Sequence, residues 1–187
     1  MQFRFATAQQ LPFPDFSSIR IHRPDATLTN WHIVPVDLSA LVNSGDCTKD
    51  IFLQWGDVVE VPEADHPLNE RWTGYSLEVL ANFQKCLTRH VQVIVKGKPQ
   101  ALTVAPELTE SEFGRHYITQ NAAFWIRPAL LRSDLVLASS ELSAVKVKRQ
   151  DPVSGKKHEW TVDCRPNQPA PDLWLRDGDV IEVPERP

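Results

Sequence analysis

An internal repeat constrains this chain more than any other feature of its sequence. Asp50-Ile51-Phe52-Leu53-Gln54-Trp55-Gly56-Asp57-Val58-Val59-Glu60-Val61-Pro62-Glu63 aligns without gaps on Asp172-Leu173-Trp174-Leu175-Arg176-Asp177-Gly178-Asp179-Val180-Ile181-Glu182-Val183-Pro184-Glu185, and nine of the fourteen positions are identical. Self-similarity of this kind sets the architecture before any single element is assigned. The match continues upstream with a slightly different offset. Ile19-Arg20-Ile21-His22-Arg23 resembles Val145-Lys146-Val147-Lys148-Arg149, and Val36-Asp37 resembles Val162-Asp163. Each copy reads as strand, turn, strand, a loop of variable length, and a closing Leu-x-x-Gly-Asp-Val-(Val/Ile)-Glu-Val-Pro-Glu.

The closing segment has a mechanical reading. Gly56 and Gly178 supply the positive φ of a tight reversal, and Asp57 and Asp179 can accept from backbone N–H groups across it. Past the turn, Val59 and Val61, like Ile181 and Val183, are expected to point inward while Glu60 and Glu182 face water. Pro62 and Pro184 then stop the ladder. Both aspartates are therefore read as structural rather than catalytic.

With 15 Pro and 7 Gly among 187 residues, the turns are proline-set, which argues against a helical bundle and against disorder. The longest apolar run, Ala122 to Ile126, falls far short of the ~20 residues of a spanning helix. No apolar stretch of signal-peptide length opens the chain, so neither a membrane span nor a signal peptide is expected in it. A net charge of −4 gives no global attraction for nucleic acid or an anionic membrane. Cys47, Cys86 and Cys164 lack zinc-knuckle or redox spacing. They are read first as small semi-buried thiols, with one long-range disulfide as the alternative, and they do not fix the compartment.

The pattern predicts an α+β, strand-rich chain with boundaries at 1–66, 67–90 and 91–187. In the last segment, 91–95 and 100–104 form a hairpin around Gly97-Lys98-Pro99. A short helix is expected from Ser133-Asp134 to about Leu142, behind a Ser cap and an acidic first turn. A second hairpin, 144–149 with 157–162, and a final strand 179–183 complete it. Hairpin, helix and further strands is the order of a β-grasp. Residues 109–132 are not assigned. The first unit has only 18 residues before its recurring strands and reads as incomplete or permuted. A helix from Tyr75 to about His90, apolar at Leu77, Leu80, Ala81, Phe83 and Leu87, either supplies its missing helix or links the units.

These residues resemble the soluble-ligand-binding β-grasp (SLBB) domains of bacterial polysaccharide export proteins. That family pairs a Val-x-Val-x-Arg strand and a Val-Asp-Leu segment with a closing Leu-x-x-Gly-Asp-x-Ile-x-Val-Pro strand. Here the first copy provides Ile19 to Arg23, Val36-Asp37-Leu38 and Leu53 to Pro62; the second has Cys164 where Leu is usual. The resemblance implies two SLBB-like units with structural residues Gly56, Asp57, Pro62, Gly178, Asp179 and Pro184. It further implies a non-enzymatic module that contacts a glycan, another soluble ligand, or copies of itself in a periplasmic or cell-envelope export complex. A cytoplasmic location stays open.

The candidate contact residues are few. Trp55, beside the Gly56 turn, is read as exposed, and Trp174, between two leucines, as core. Lys146, Lys148, Arg149, Lys156 and Lys157, with Trp160 nearby, concentrate positive charge on one hairpin. This is either a solvated face or an anion site for acidic sugars or phosphates. No catalytic residue, cofactor or metal site is expected: the six histidines show no HxH or HExxH spacing, and no phosphate loop or nucleophile elbow occurs. Two rival readings remain, a protein–protein adaptor with no small ligand and, with least support, nucleic-acid binding through the 145–160 hairpin.

Overall fold

Short β-rich segments separated by prolines pair locally, and the chain is α+β and strand-rich. The computed structural model describes residues 13–25, 27, 29–54, 56–110, 116–119, 122–151, 154–167 and 172–186. The chain divides into two units, Met1–Cys86 with Leu108–Ile118 and Leu87–Glu107 with Thr119–Pro187.

In the first unit, β1 (Ile19–Pro24) lies between β2 (Trp31–Val36) and β3 (Val58–Glu60), antiparallel to both. Ile21 faces Val34 on one side and Val59 on the other, so these three share a face, and Ile19 and Ile21 are buried there. The loop after β2 forms α1 (Ser39–Ser44) and a 3-10 turn, Cys47–Lys49. Gly45 ends α1 at φ +64°, and a Cβ there would stand 2.8 Å from the Asn82 side chain. That close approach brings α2 (Leu77–Leu87) against the end of α1. Asn82 donates to the Val42 carbonyl (2.8 Å), Lys85 to the Gly45 carbonyl (2.9 Å), and a Cys47–Cys86 disulfide joins the two at a Cα separation of 5.1 Å. The thiol reading therefore holds only for Cys164. Helix α2 is shorter than its periodicity predicts, because Arg89 already begins the next strand.

The second unit carries a five-stranded sheet. Its first hairpin, β4 (Arg89–Val95) and β5 (Lys98–Val104), turns on Lys96-Gly97, both at positive φ. This two-residue connection suits the twist of the strands, so they run longer than expected, and Pro99 is accommodated because β5 is an edge. The stretch left unassigned from sequence holds α3 (Ile126–Arg132) in this unit and most of a two-stranded ribbon, β6 (Glu107–Glu110) with β7 (His116–Thr119), which falls mainly in the first unit. The helix predicted to start at Ser133 is thus misplaced: Ser133 caps the C-terminal end of α3. Ile126, Ala129 and Leu130 point into the core at helical spacing, and Pro128 sits in the first turn, where its missing N–H has no intrahelical partner to lose.

The sheet closes with β8 (Val145–Gln150), β9 (Lys157–Val162) and β10 (Val180–Val183), in the order β5-β4-β10-β8-β9, with β10 parallel to β4. Val91, Val93, Val147, Ile181 and Leu130 lie in one buried cluster. Strands β9-β8-β10 repeat β2-β1-β3 in order and direction. The loop bonds repeat as well: Asp15 N–H to Pro62 O (2.8 Å) matches Glu141 N–H to Pro184 O (2.7 Å), and Leu38 N–H to Phe16 O (2.8 Å) matches Cys164 N–H to Leu142 O (2.7 Å).

Candidate functional site

The polar residues of the repeat are consumed inside it. In the first unit Arg23 donates from Nε and Nη2 to the two carboxylate oxygens of Asp57 (2.9 and 2.7 Å), and Nη2 also reaches the Phe52 carbonyl (3.2 Å). In the second, Arg149 does the same with Asp179 (2.7 and 2.7 Å) and the Trp174 carbonyl (2.7 Å). The same carboxylates accept from the Gln54 and Arg176 N–H groups, both at 2.8 Å. The side chains of Asp57 and Asp179 are 1% and 0% exposed. A buried carboxylate needs such a planar, two-pronged partner. The Arg23 bond holds the Asp57 carboxyl below the usual carboxylate range. The arginine that ends each Ile-x-Ile-x-Arg or Val-x-Val-x-Arg strand therefore locks the Gly-Asp turn, a role its recurrence in both copies could have signalled.

This reassigns much of the basic hairpin. Arg149, whose guanidinium also stacks 5.1 Å above the Trp160 ring, is a structural group. Lys148 pairs with Glu182 (2.6 Å), which raises its pKa, and Lys146 with Glu159 (3.5 Å). Lys156 and Lys157 are exposed and have no ion pair among the described residues. Trp160 is part-buried against the core and stacks on His158.

Trp55 lies outside the described residues. Trp174 is not core but 41% exposed; its ring stacks on Phe124 and meets Trp125 edge-on, while Leu175 behind it is the buried residue. Val59 also departs from expectation. It lies on the inward face yet is 42% exposed, whereas its counterpart Ile181 is 0% exposed. The reason is its neighbourhood: β10 has a strand on each side, β3 on one only among the described residues. Glu60, expected in water, is half-buried and bonded to His22 (2.8 Å) and Arg20 (3.3 Å).

What remains outward is an apolar face of the first unit that sequence reasoning missed. Register places Ile33 and Val58 on either side of His22, with Trp31 opposite Pro24 in the next row. Trp31, Ile33 and Val58 are each more than half exposed, and Phe52 is 70% exposed. The matching positions of the second unit are Lys157, Glu159 and Val180, so one copy shows charge where the other shows indole and isoleucine. Comparing the two copies position by position is the signal that would have found it.

No group of three or more metal-ligating side chains occurs among the described residues. No described helix is long and apolar enough to cross a membrane. Burial pushes the Cys164 thiol up to about 12, which leaves it without nucleophilic character. The chain matches no family model, no curated protein and no solved structure.

Proposed function

We propose that this chain is a non-enzymatic assembly module of two β-grasp units of the SLBB kind, acting by surface contact in a cell-envelope complex. The carrying observation is the outward face of Trp31, Ile33 and Val58, with His22 set between Ile33 and Val58 and the Arg20–Glu60 pair bordering it in the next row. An apolar patch rimmed by polar groups is how a contact surface differs from ordinary exposed sheet. Support for the grasp comes from the strand order of the second unit, a hairpin and a helix followed by a second hairpin and a central parallel strand. The Cys47–Cys86 bond supports an oxidising compartment such as the periplasm.

The anion-site version of ligand binding draws less support, since Lys146, Lys148 and Arg149 already face carboxylates. Sedimentation velocity over a concentration series tests the assembly reading. Self-association that weakens at least tenfold in Trp31→Glu/Ile33→Glu, with unchanged circular dichroism, is the expected result. A strictly monomeric chain at all concentrations would overturn assembly with itself. Trp31-dependent retention by an envelope polysaccharide in that case would assign the face to a glycan.

A further inference from the structure

Strand β2 carries a free line of backbone. The Asp25 N–H donates to the Asn30 carbonyl (2.9 Å), and bonded pairs alternate along an antiparallel ladder. Arg23 with His32 and Ile21 with Val34 are therefore bonded pairs, so Trp31, Ile33 and Pro35 turn their backbone groups away from β1. Among the described residues no strand lies on that side. Pro35 has no N–H to lose there, which is where an edge strand tolerates proline. The second unit guards the same edge differently. Its β9 holds Lys157 and Glu159 where β2 holds Trp31 and Ile33, and charge on an edge discourages a further strand. Strand β2 contains no Lys, Arg, Asp or Glu.

We propose that this edge pairs with the same edge of a second copy, antiparallel, about a two-fold axis between the two Ile33 residues. The pairing rests on the assembly reading above and narrows it to Trp31 and Ile33, with Val58 outside the contact. The two Ile33 residues exchange a pair of backbone bonds in this register, and each Trp31 amide donates to the facing Pro35 carbonyl. The side chains fit as well. Trp31 of one copy falls opposite Pro35 of the other, and the next strand in that row presents Arg20, the cross-strand partner of Pro35. Arg20 and Pro35, with Ser17, Ser18 and Asp37, line an open cleft of about 350 Å³, within the ~300–1,000 Å³ of sites that enclose small ligands. An indole placed there stacks on the proline ring within reach of a guanidinium, a favourable partner for its π face. Each copy thus presents both a projecting ring, 52% exposed, and a hollow, set two residues to either side of Ile33. A two-fold contact demands that self-complementarity. A different partner strand would require only one of the two.

Amide hydrogen exchange read by NMR on the full chain, over a concentration series, tests this. The Trp31 and Ile33 amides are expected to exchange at least tenfold more slowly as protein concentration rises, while His32 and Val34, already bonded to β1, stay constant. Ile33→Pro removes the central donors without touching the β1 ladder and should abolish self-association in sedimentation velocity, with circular dichroism unchanged. Trp31→Ala, which only empties the cleft, should weaken association at least tenfold. Val58→Glu, two strands from the edge, should leave it intact. Association that survives Ile33→Pro or Trp31→Ala, or is lost in Val58→Glu, overturns the edge pairing and leaves the assembly reading standing, because the copies then meet elsewhere. Protection of Ile33 that is independent of concentration also overturns the pairing, since the edge is then covered within one chain. A chain that is monomeric at every concentration overturns the pairing and self-assembly together.

Discussion

Asp179 is the residue on which the second turn depends. Removing its charge leaves Arg149 facing a buried site without a counter-ion, a change of about 3–5 kcal/mol for pairs of this type. Asp179→Asn should therefore lower the urea stability of the chain by that amount. Glu182→Gln, which removes an exposed partner of Lys148, should change it by less than about 1 kcal/mol. Equal effects would show that the inner pair is no more important than the outer one. In the first unit the pH dependence has a definite sign. Asp57 is held below its ordinary range by Arg23, so its contribution is complete above the unfolded carboxylate value near pH ~4 and is lost as pH falls through the folded value. Urea midpoints measured from pH 5 to 2 should fall less steeply in Asp57→Asn than in the parent; parallel curves would remove Asp57 from the account. The Gly-Asp turn was legible in sequence because its residues are adjacent. Its arginines were not, since they lie 34 and 30 residues from their partners, and a cation near a hairpin looks like surface until the fold shows its neighbour.

Among the elements, the strands that recur in both copies were legible almost residue for residue, because alternation and repetition point the same way. Helix α3 was not. Phe124, Trp125 and Ile126 favour strands, Pro128 reads as a breaker, and the Ser133-Asp134 pair imitates a helix start. Burial of Ile126, Ala129 and Leu130 outweighs those local preferences, as packing commonly does. The other illegible element is the loop from Ser39 to Lys49, longer than its counterpart after Asp163. The extra length forms the turn that carries Cys47. With a sequence separation of 39, the cross-link removes unfolded-chain entropy equivalent to about 4 kcal/mol in the loop-closure model. Cys86→Ser should therefore destabilise the first unit by several kcal/mol. An unchanged unfolding curve under oxidising conditions would mean that the bond does not form in solution.

At the scale of the molecule, each unit has its own means of being held together. A covalent tie and the aromatic group of Phe16, Tyr75 and Phe83 serve the first; a larger cluster centred on Val93, Val147 and Ile181 serves the second. Cys164 reports on the latter, being fully buried and the sole free cysteine. A maleimide at pH 8 should label it only as fast as the second unit opens, with one equivalent taken up after denaturation. Rapid labelling of the native chain would contradict that burial.

Because only the first unit is stapled by sulfur, the host used to make the protein matters. Produced in a thiol-rich cytosol, the chain should emerge with a sound carboxy-terminal half and an amino-terminal half that proteases trim, whereas secretion should deliver both intact.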